Sequence, residues 1–229
     1  MSLESLVPGS EEAISSLLIQ PKQVIGKNIS IFSEQNGVPE LEGCSIAIIG
    51  VSEIRNTFFP TTQDKTLDFR KSFYKLFPGN WNFNICDLGD LPNGATAEDT
   101  YFALSEICLC LRQLNVIPIV IGGSHDLIFP MYQSYSKTKQ LVNIVSVDNQ
   151  FDFAKEDSLV SNSYLSKIIV EEPNNIFNYS NLGYQTYYNS QEEIDLIEKL
   201  YFEENRLGEG SNNIEVAEPV LRDGELVTI

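Results

Sequence analysis

Apolar residues along this chain fall in blocks, and the blocks alternate with stretches of helical spacing. Residues 45–51 run Ser-Ile-Ala-Ile-Ile-Gly-Val and end in a loop. A continuous apolar run of this length predicts a strand buried on both faces, as in a parallel sheet. Residues 64–77 instead space Leu67, Phe69, Phe73, Leu76 and Phe77 as a helix would, and Pro78-Gly79 ends it. Residues 83–87 predict a short strand. Thr96 and Asp99 have the spacing of a capping box that opens a helix to about 114. Residues 116–121 predict the next strand, with Gly122-Gly123 turning the chain into a helix over 127–135. Residues 141–147 predict a strand that runs straight into Asp148. Residues 165–170 and 176–181 predict two more. Ser190 and Glu193 form a second capping box for a helix to about 206, closed at Gly208. A helix over 214–222 and a strand over 226–229 complete the series. Residues 1–41 are polar and mixed, an amino-terminal arm with a short helix around 11–18. No internal repeat or low-complexity tract interrupts the pattern.

Strands alternating with helices predict an α/β fold, a three-layer α/β/α domain over 42–229 on a mostly parallel, doubly wound sheet. The length of 229 residues and the 42% apolar content fit one large domain with a core of its own. The formal charge of −17 makes nucleic acid and anionic membranes poor partners, and an anionic substrate would need local arginines. None of Cys44, Cys86, Cys108 and Cys110 forms a Cys-x-x-Cys pair, and three lie in apolar runs. They are expected as reduced core thiols of a cytoplasmic protein. No basic segment followed by a long apolar stretch opens the chain, and no run approaches transmembrane length. The sequons at Asn28 and Asn178 therefore carry no expectation of glycosylation.

Functional groups in open α/β sheets gather in loops at the carboxyl ends of strands. Two such loops are loaded. One is Gly122-Gly-Ser-His-Asp126, and the other is Asp148-Asn-Gln-Phe-Asp152. Together they offer one imidazole and several carboxylates, a donor mix that suits a divalent metal such as manganese. His125 is the single histidine of the chain, so no His–His pair exists. Taken one at a time, these residues have ordinary structural roles: a hydrogen-bonded histidine after a turn, a helix cap, a turn former. Their placement after successive strands is what lets them converge. Arg55 and Asn56 follow the first strand and are candidates for substrate contact, with a solvated loop as the alternative. Tyr184, Gln185, Tyr187 and Tyr188 would line a pocket or pack. Glu192, Glu193, Glu198, Glu203 and Glu204 fit the solvated face of a helix. A Rossmann-type nucleotide binder is disfavoured, because Gly50-Val-Ser-Glu-Ile lacks the glycine-rich turn.

The order and spacing of these segments resemble the arginase, agmatinase and formimidoylglutamase (ureohydrolase) superfamily over about 42–229. Gly122-Gly-Ser-His125 resembles its Gly-Gly-x-His motif, and Asp148-Asn-Gln-Phe-Asp152 resembles its Asp-Ala-His-x-Asp motif. Cys86-Asp-Leu-Gly-Asp90, Asp99-Thr100, Ile117-Pro-Ile-Val-Ile121, Asn181-Leu-Gly-Tyr-Gln185, Ala217-Glu-Pro219 and Arg222-Asp223 resemble the formimidoylglutamase-like branch. The resemblance implies two manganese ions that activate a hydroxide toward an amidino, guanidino or formimino carbon of a small substrate. It places His125, Asp148 and Asp152 on ligands of the first metal. Asp148 falls on the bridging carboxylate and Asp152 on the residue that orients the hydroxide. It also implies a homo-oligomer.

Two departures qualify that implication. Gln150 stands where the family has a histidine ligand to the second metal, and a neutral amide is a weak substitute. The family's Ser-x-Asp-x-Asp motif would follow Leu226-Val-Thr-Ile229, where the sequence ends. The expectation is therefore an arginase-like domain lacking its C-terminal strands and part of its metal centre. Such a chain is either an incomplete linear-amidine hydrolase or a non-catalytic family member that binds one metal weakly or none.

Overall fold

The computed structural model describes residues 2–57, 65–81, 83–154, 159–208 and 213–229. The chain divides into two compact units, Met1–Ser124 and His125–Ile229.

The first unit contains α1 (Glu11–Ser15), β1 (Ser30–Ile31), β2 (Ile46–Val51), α2 (Lys65–Phe73), β3 (Ile85–Leu91), α3 (Ala97–Gln113) and β4 (Ile117–Ile121). Its sheet has the order β1-β3-β2-β4, and every pairing is parallel. The apolar run predicted over 45–51 is β2, a central strand whose Ala47, Ile48, Ile49 and Val51 are buried. Parallel ladders need a crossover between strands, and α3 supplies one between β3 and β4. Its capping box forms as its spacing predicts: Thr96 Oγ1 accepts from the Asp99 N–H, and the Asp99 carboxylate accepts from the Thr96 N–H. The helix predicted over 64–77 is found as α2 and is shorter, ending at Phe73; Asp64 lies outside the described residues. Leu76 and Phe77 are exposed beyond its end. The strand predicted over 83–87 begins later and runs on to Leu91.

The amino-terminal arm is tied to this sheet. Val7 and Asp90 exchange both backbone hydrogen bonds at 2.9 Å. Gly89 has φ +77 and lies so close to the arm that a Cβ would sit 2.0 Å from the Val7 carbonyl oxygen. The arm's Ala13, Leu17 and Val24 pack with Tyr74 in a satellite core. A buried ion cluster adds to this. Arg70 grips both oxygens of Asp87 at 2.8 and 3.0 Å and reaches Asp90 at 2.6 Å and the Gly89 carbonyl at 2.8 Å.

The second unit contains α4 (Ile128–Ser136), β5 (Val142–Ser146), α5 (Tyr164–Val170), β6 (Ile176–Tyr184), α6 (Gln191–Lys199), β7 (Glu203–Arg206), α7 (Asn213–Asp223) and β8 (Leu226–Thr228). Its sheet has the order β7-β6-β5-β8, again parallel throughout. The core gathers Tyr132, Ile144, Phe151, Leu165, Ile168, Tyr179 and Ile197.

Three expectations are corrected here. Residues 165–170 form helix α5, not a strand: Leu165 and Ile168 are buried with helical spacing while Val170 is exposed. The Ile-Ile-Val run favours a strand by propensity, but burial of one helical face overrides it. The helix after Ser190 has its predicted capping box, yet it stops at Lys199. Tyr201 takes a left-handed φ of +58, and residues 203–206 then pair with β6 as β7. Glu203 and Glu204 therefore lie on a strand, where Glu203 accepts a hydrogen bond from Ser180 at 2.9 Å. The strand predicted over 116–121 is found as β4 at a sheet edge, where Ile117 is 62% exposed.

Candidate metal centre

The loop after β5 carries most of the site, and its shape comes from backbone bonds to asparagines. The Phe151 N–H donates to Asn189 Oδ1 at 2.9 Å, while Asn189 Nδ2 donates to the carbonyls of Asn149 and Gln185. Asn181 Nδ2 reaches the Gln150 carbonyl at 3.1 Å, and the Leu165 N–H reaches the Asp152 carbonyl at 3.3 Å. These bonds hold Asp152 at φ +52, a left-handed conformation that few non-glycine residues adopt. The first residue of the loop, Asp148, accepts from the Gln150 N–H at 3.1 Å.

His125 starts the second unit in a short 3-10 turn, His125–Leu127. Its Nδ1 lies 2.7 Å from Asp152 Oδ2 and 3.2 Å from Asp148 Oδ2. One ligand atom from each of His125, Asp148 and Asp152 falls within 4.8 Å of the others. The Asp152 side chain is buried, that of Asp148 partly so, and that of His125 is 43% exposed. The cluster is thus open at the imidazole and closed behind Asp152.

The charges are interdependent. The hydrogen bond to Asp152 raises the His125 pKa above the ordinary 6.5, against burial, and the charges of Asp152 and Asp148 push the same way. Burial raises the Asp152 carboxyl, and His125 pulls it partly back. Both shifts mean that the metal-free fold holds its proton more tightly than the unfolded chain does. The stabilisation from His125 is then complete below pH 6.5 and is lost as pH rises through its raised value. A divalent ion needs the imidazole without its proton, so metal affinity moves the opposite way. The expected result is manganese affinity that tightens from pH 6 to 8.5 while the metal-free melting temperature falls. A flat affinity across that range would remove His125 from the ligand set.

One imidazole nitrogen and two carboxylates already facing one another fit a manganese-type ion. Among the described residues no second group of this kind occurs. Gln150, between Asp148 and Asp152, is held through its backbone N–H and carbonyl.

Arg55 and Asn56 belong to the first unit. The Arg55 guanidinium pairs with buried Glu53 and donates to the carbonyls of Ala95 and Thr96 and to Thr100 Oγ1. Asn56 donates to the Tyr101 hydroxyl at 2.6 Å. Of the aromatic group near 184–188, Tyr184 packs on Phe151 with ring centroids 4.9 Å apart, while Tyr187 and Tyr188 are exposed. Asn189, which helps to shape the 148–152 loop, stood out by no spacing in the sequence, while Asn181 entered only as the first residue of a family-like segment.

Residues 45–218 match the model of the arginase family. Over 175 residues the chain is 30% identical to a formimidoylglutamase of Streptococcus gordonii, which covers 69% of this chain and 52% of that protein. The chain thus spans about half the length of the curated relative it matches. A Trypanosoma cruzi formiminoglutamase solved with manganese superposes with a TM-score of 0.71 at 16% identity, covering 80% of this chain and 68% of that one. A Bacillus subtilis formimidoylglutamase gives a TM-score of 0.72 at 14% identity, covering 91% and 70%. No helix among the described residues is long and apolar enough to cross a membrane. With the family model matched over 45–218, well beyond half of the chain, this chain belongs to the arginase family.

Proposed function

We propose that His125, Asp148 and Asp152 hold one manganese ion, and that this is half of a two-ion centre for hydrolysing linear amidines of the formimidoylglutamate type. The observation that carries the proposal is the convergence of the three donors within 4.8 Å on a loop braced by Asn181 and Asn189. A bound ion in such a centre lowers the pKa of water and so supplies a hydroxide nucleophile near neutral pH. The residues do the rest. Asp148 offers the carboxylate that two ions would share. Asp152, buried and fixed by its backbone, orients the nucleophile and can take its proton. Arg55 and Asn56 are proposed substrate contacts. Most Arg55 donors already have partners, so contact there would use its exposed side.

Gln150 and the single donor cluster among the described residues favour a second reading, a non-catalytic family member that keeps the fold for ligand binding or assembly. In this reading the chain binds one ion weakly or none and turns nothing over, and ligand binding or assembly replaces chemistry as its role. The two readings part on Gln150→His. If the amide is what disables the second ion, this variant raises the manganese bound per chain, measured by elemental analysis after desalting. Unchanged metal content would place the defect elsewhere. Hydrolysis of formimidoylglutamate, agmatine or arginine by the unaltered chain would exclude the non-catalytic reading.

A further inference from the structure

One corner of the first unit leaves six large apolar side chains in water. Leu76, Phe77, Trp81 and Phe83 follow the end of α2, while Leu18 and Ile19 belong to the amino-terminal arm, and their exposures run from 55% to 87%. Leu76 and Phe77 keep the apolar spacing of α2, yet the helix ends at Phe73 and leaves them outside the core. Backbone bonds bring the two stretches together. The Ile25 N–H donates to the Leu76 carbonyl at 2.7 Å, and the Gly26 N–H donates to the Tyr74 carbonyl at 3.0 Å. Leu17, next to Leu18, shares the satellite core with Tyr74. Trp81 lies close over its own turn, since a Cβ on Gly79 would sit 2.5 Å from the indole nitrogen.

The size of this patch points to a macromolecular partner. A whole aromatic side chain offers about 150–250 Å², so three rings at 59–63% exposure leave roughly 300–450 Å² in water. With the three aliphatic side chains added, the patch passes the roughly 300–600 Å² usual for the largest patch on a monomer. It approaches the ~800 Å² that each partner gives to a standard interface. The charges nearby decide which partner fits. On the same arm and helix, Lys22, Lys27 and Lys75 are exposed alongside Glu11, Glu12 and Asp68. An anionic membrane or nucleic acid needs one sign of charge, and the chain as a whole carries −17. A surround of both signs suits a copy of itself, because a two-fold axis lets the lysines of one copy face the carboxylates of the other.

We infer that this corner is a two-fold contact surface for a second copy of the chain, with Phe77 and Trp81 as its anchors. Buried aromatic side chains commonly carry most of the energy of such a contact. The inference stands on the first unit alone and is independent of metal binding.

Trp81 is the single tryptophan of the chain, so its fluorescence reports on this corner. The test is sedimentation equilibrium of the full chain over a dilution series, with acrylamide quenching of Trp81 at each concentration. The expected result is a mass of about twice 25.7 kDa in concentrated solution, with Trp81 shielded from the quencher in the dimer. Phe77→Asp alters an exposed side chain beyond α2. It is expected to weaken association by at least about 30-fold and to leave circular dichroism unchanged. A chain that stays monomeric at every concentration would overturn the inference. If such a monomer gained shielding on vesicles of anionic lipid, the patch would belong to a membrane instead. A dimer in which Trp81 stays open to acrylamide, or one that persists undiminished in Phe77→Asp, would place the contact on another surface. The quenching of the unaltered chain decides the question if the variant does not fold.

Discussion

Arg70→Ala is expected to destabilise the first unit by about 3–5 kcal/mol, the usual cost of leaving a buried ion without its partner. The guanidinium is nearly inaccessible and binds Asp87 through two parallel bonds, with Asp90 and the Gly89 carbonyl filling its other donors. Without it, Asp87 stays buried beside the Tyr74 hydroxyl, which donates to it at 2.8 Å, and the Gly89 N–H at 2.9 Å. Those two neutral donors cannot balance a full charge. Arg70→Lys is expected to recover little, since an ammonium cannot reproduce the two-pronged geometry. The nearby pair Lys71–Glu12 is exposed, so Lys71→Ala should cost less than about 1 kcal/mol. Urea unfolding of the three variants checks the contrast. An Arg70→Ala cost as small as that of Lys71→Ala would show that the cluster does not anchor the arm.

His125→Ala is expected to weaken manganese binding by more than about 100-fold, beyond the roughly 10–100-fold usual for residues that only support a ligand. The imidazole is the single nitrogen donor in the cluster, and no other histidine exists to replace it. Asp152→Asn should match it, because the amide removes charge at the most buried donor. Circular dichroism of both variants separates loss of a ligand from loss of the fold. An affinity unchanged in His125→Ala, with the fold intact, would move the ion to other residues.

The sequence carried much of this architecture in local signals. Both capping boxes are visible as Thr96–Asp99 and Ser190–Glu193, because a cap depends on residues three apart. The buried strand β2 is visible as an unbroken apolar run, and β5 as an apolar run interrupted by Asn143. Long-range pairing is what the pattern could not carry. The run that makes β4 is as apolar as β2, yet one lies at an edge and the other between two strands. The short β1 has two residues and no pattern of its own. Tyr201 ends α6 by a left-handed turn that its side chain does not advertise, so the helix was extended through what is β7. The site divides the same way. His125, Asp148 and Asp152 were legible because their residue types fit known motifs. Asn189 was not, since its work is done on backbone atoms distant in sequence, and Asn181 was legible as part of a family-like segment but not for its bond to the Gln150 carbonyl.

One cluster of three donors, His125, Asp148 and Asp152, is proposed to bind one metal ion. Titration of the full chain with manganese, following the free ion by electron paramagnetic resonance at pH 8, tests it most directly. At least one site per chain is expected, lost in His125→Ala. No bound ion, or binding that survives in His125→Ala with the fold intact, would contradict it.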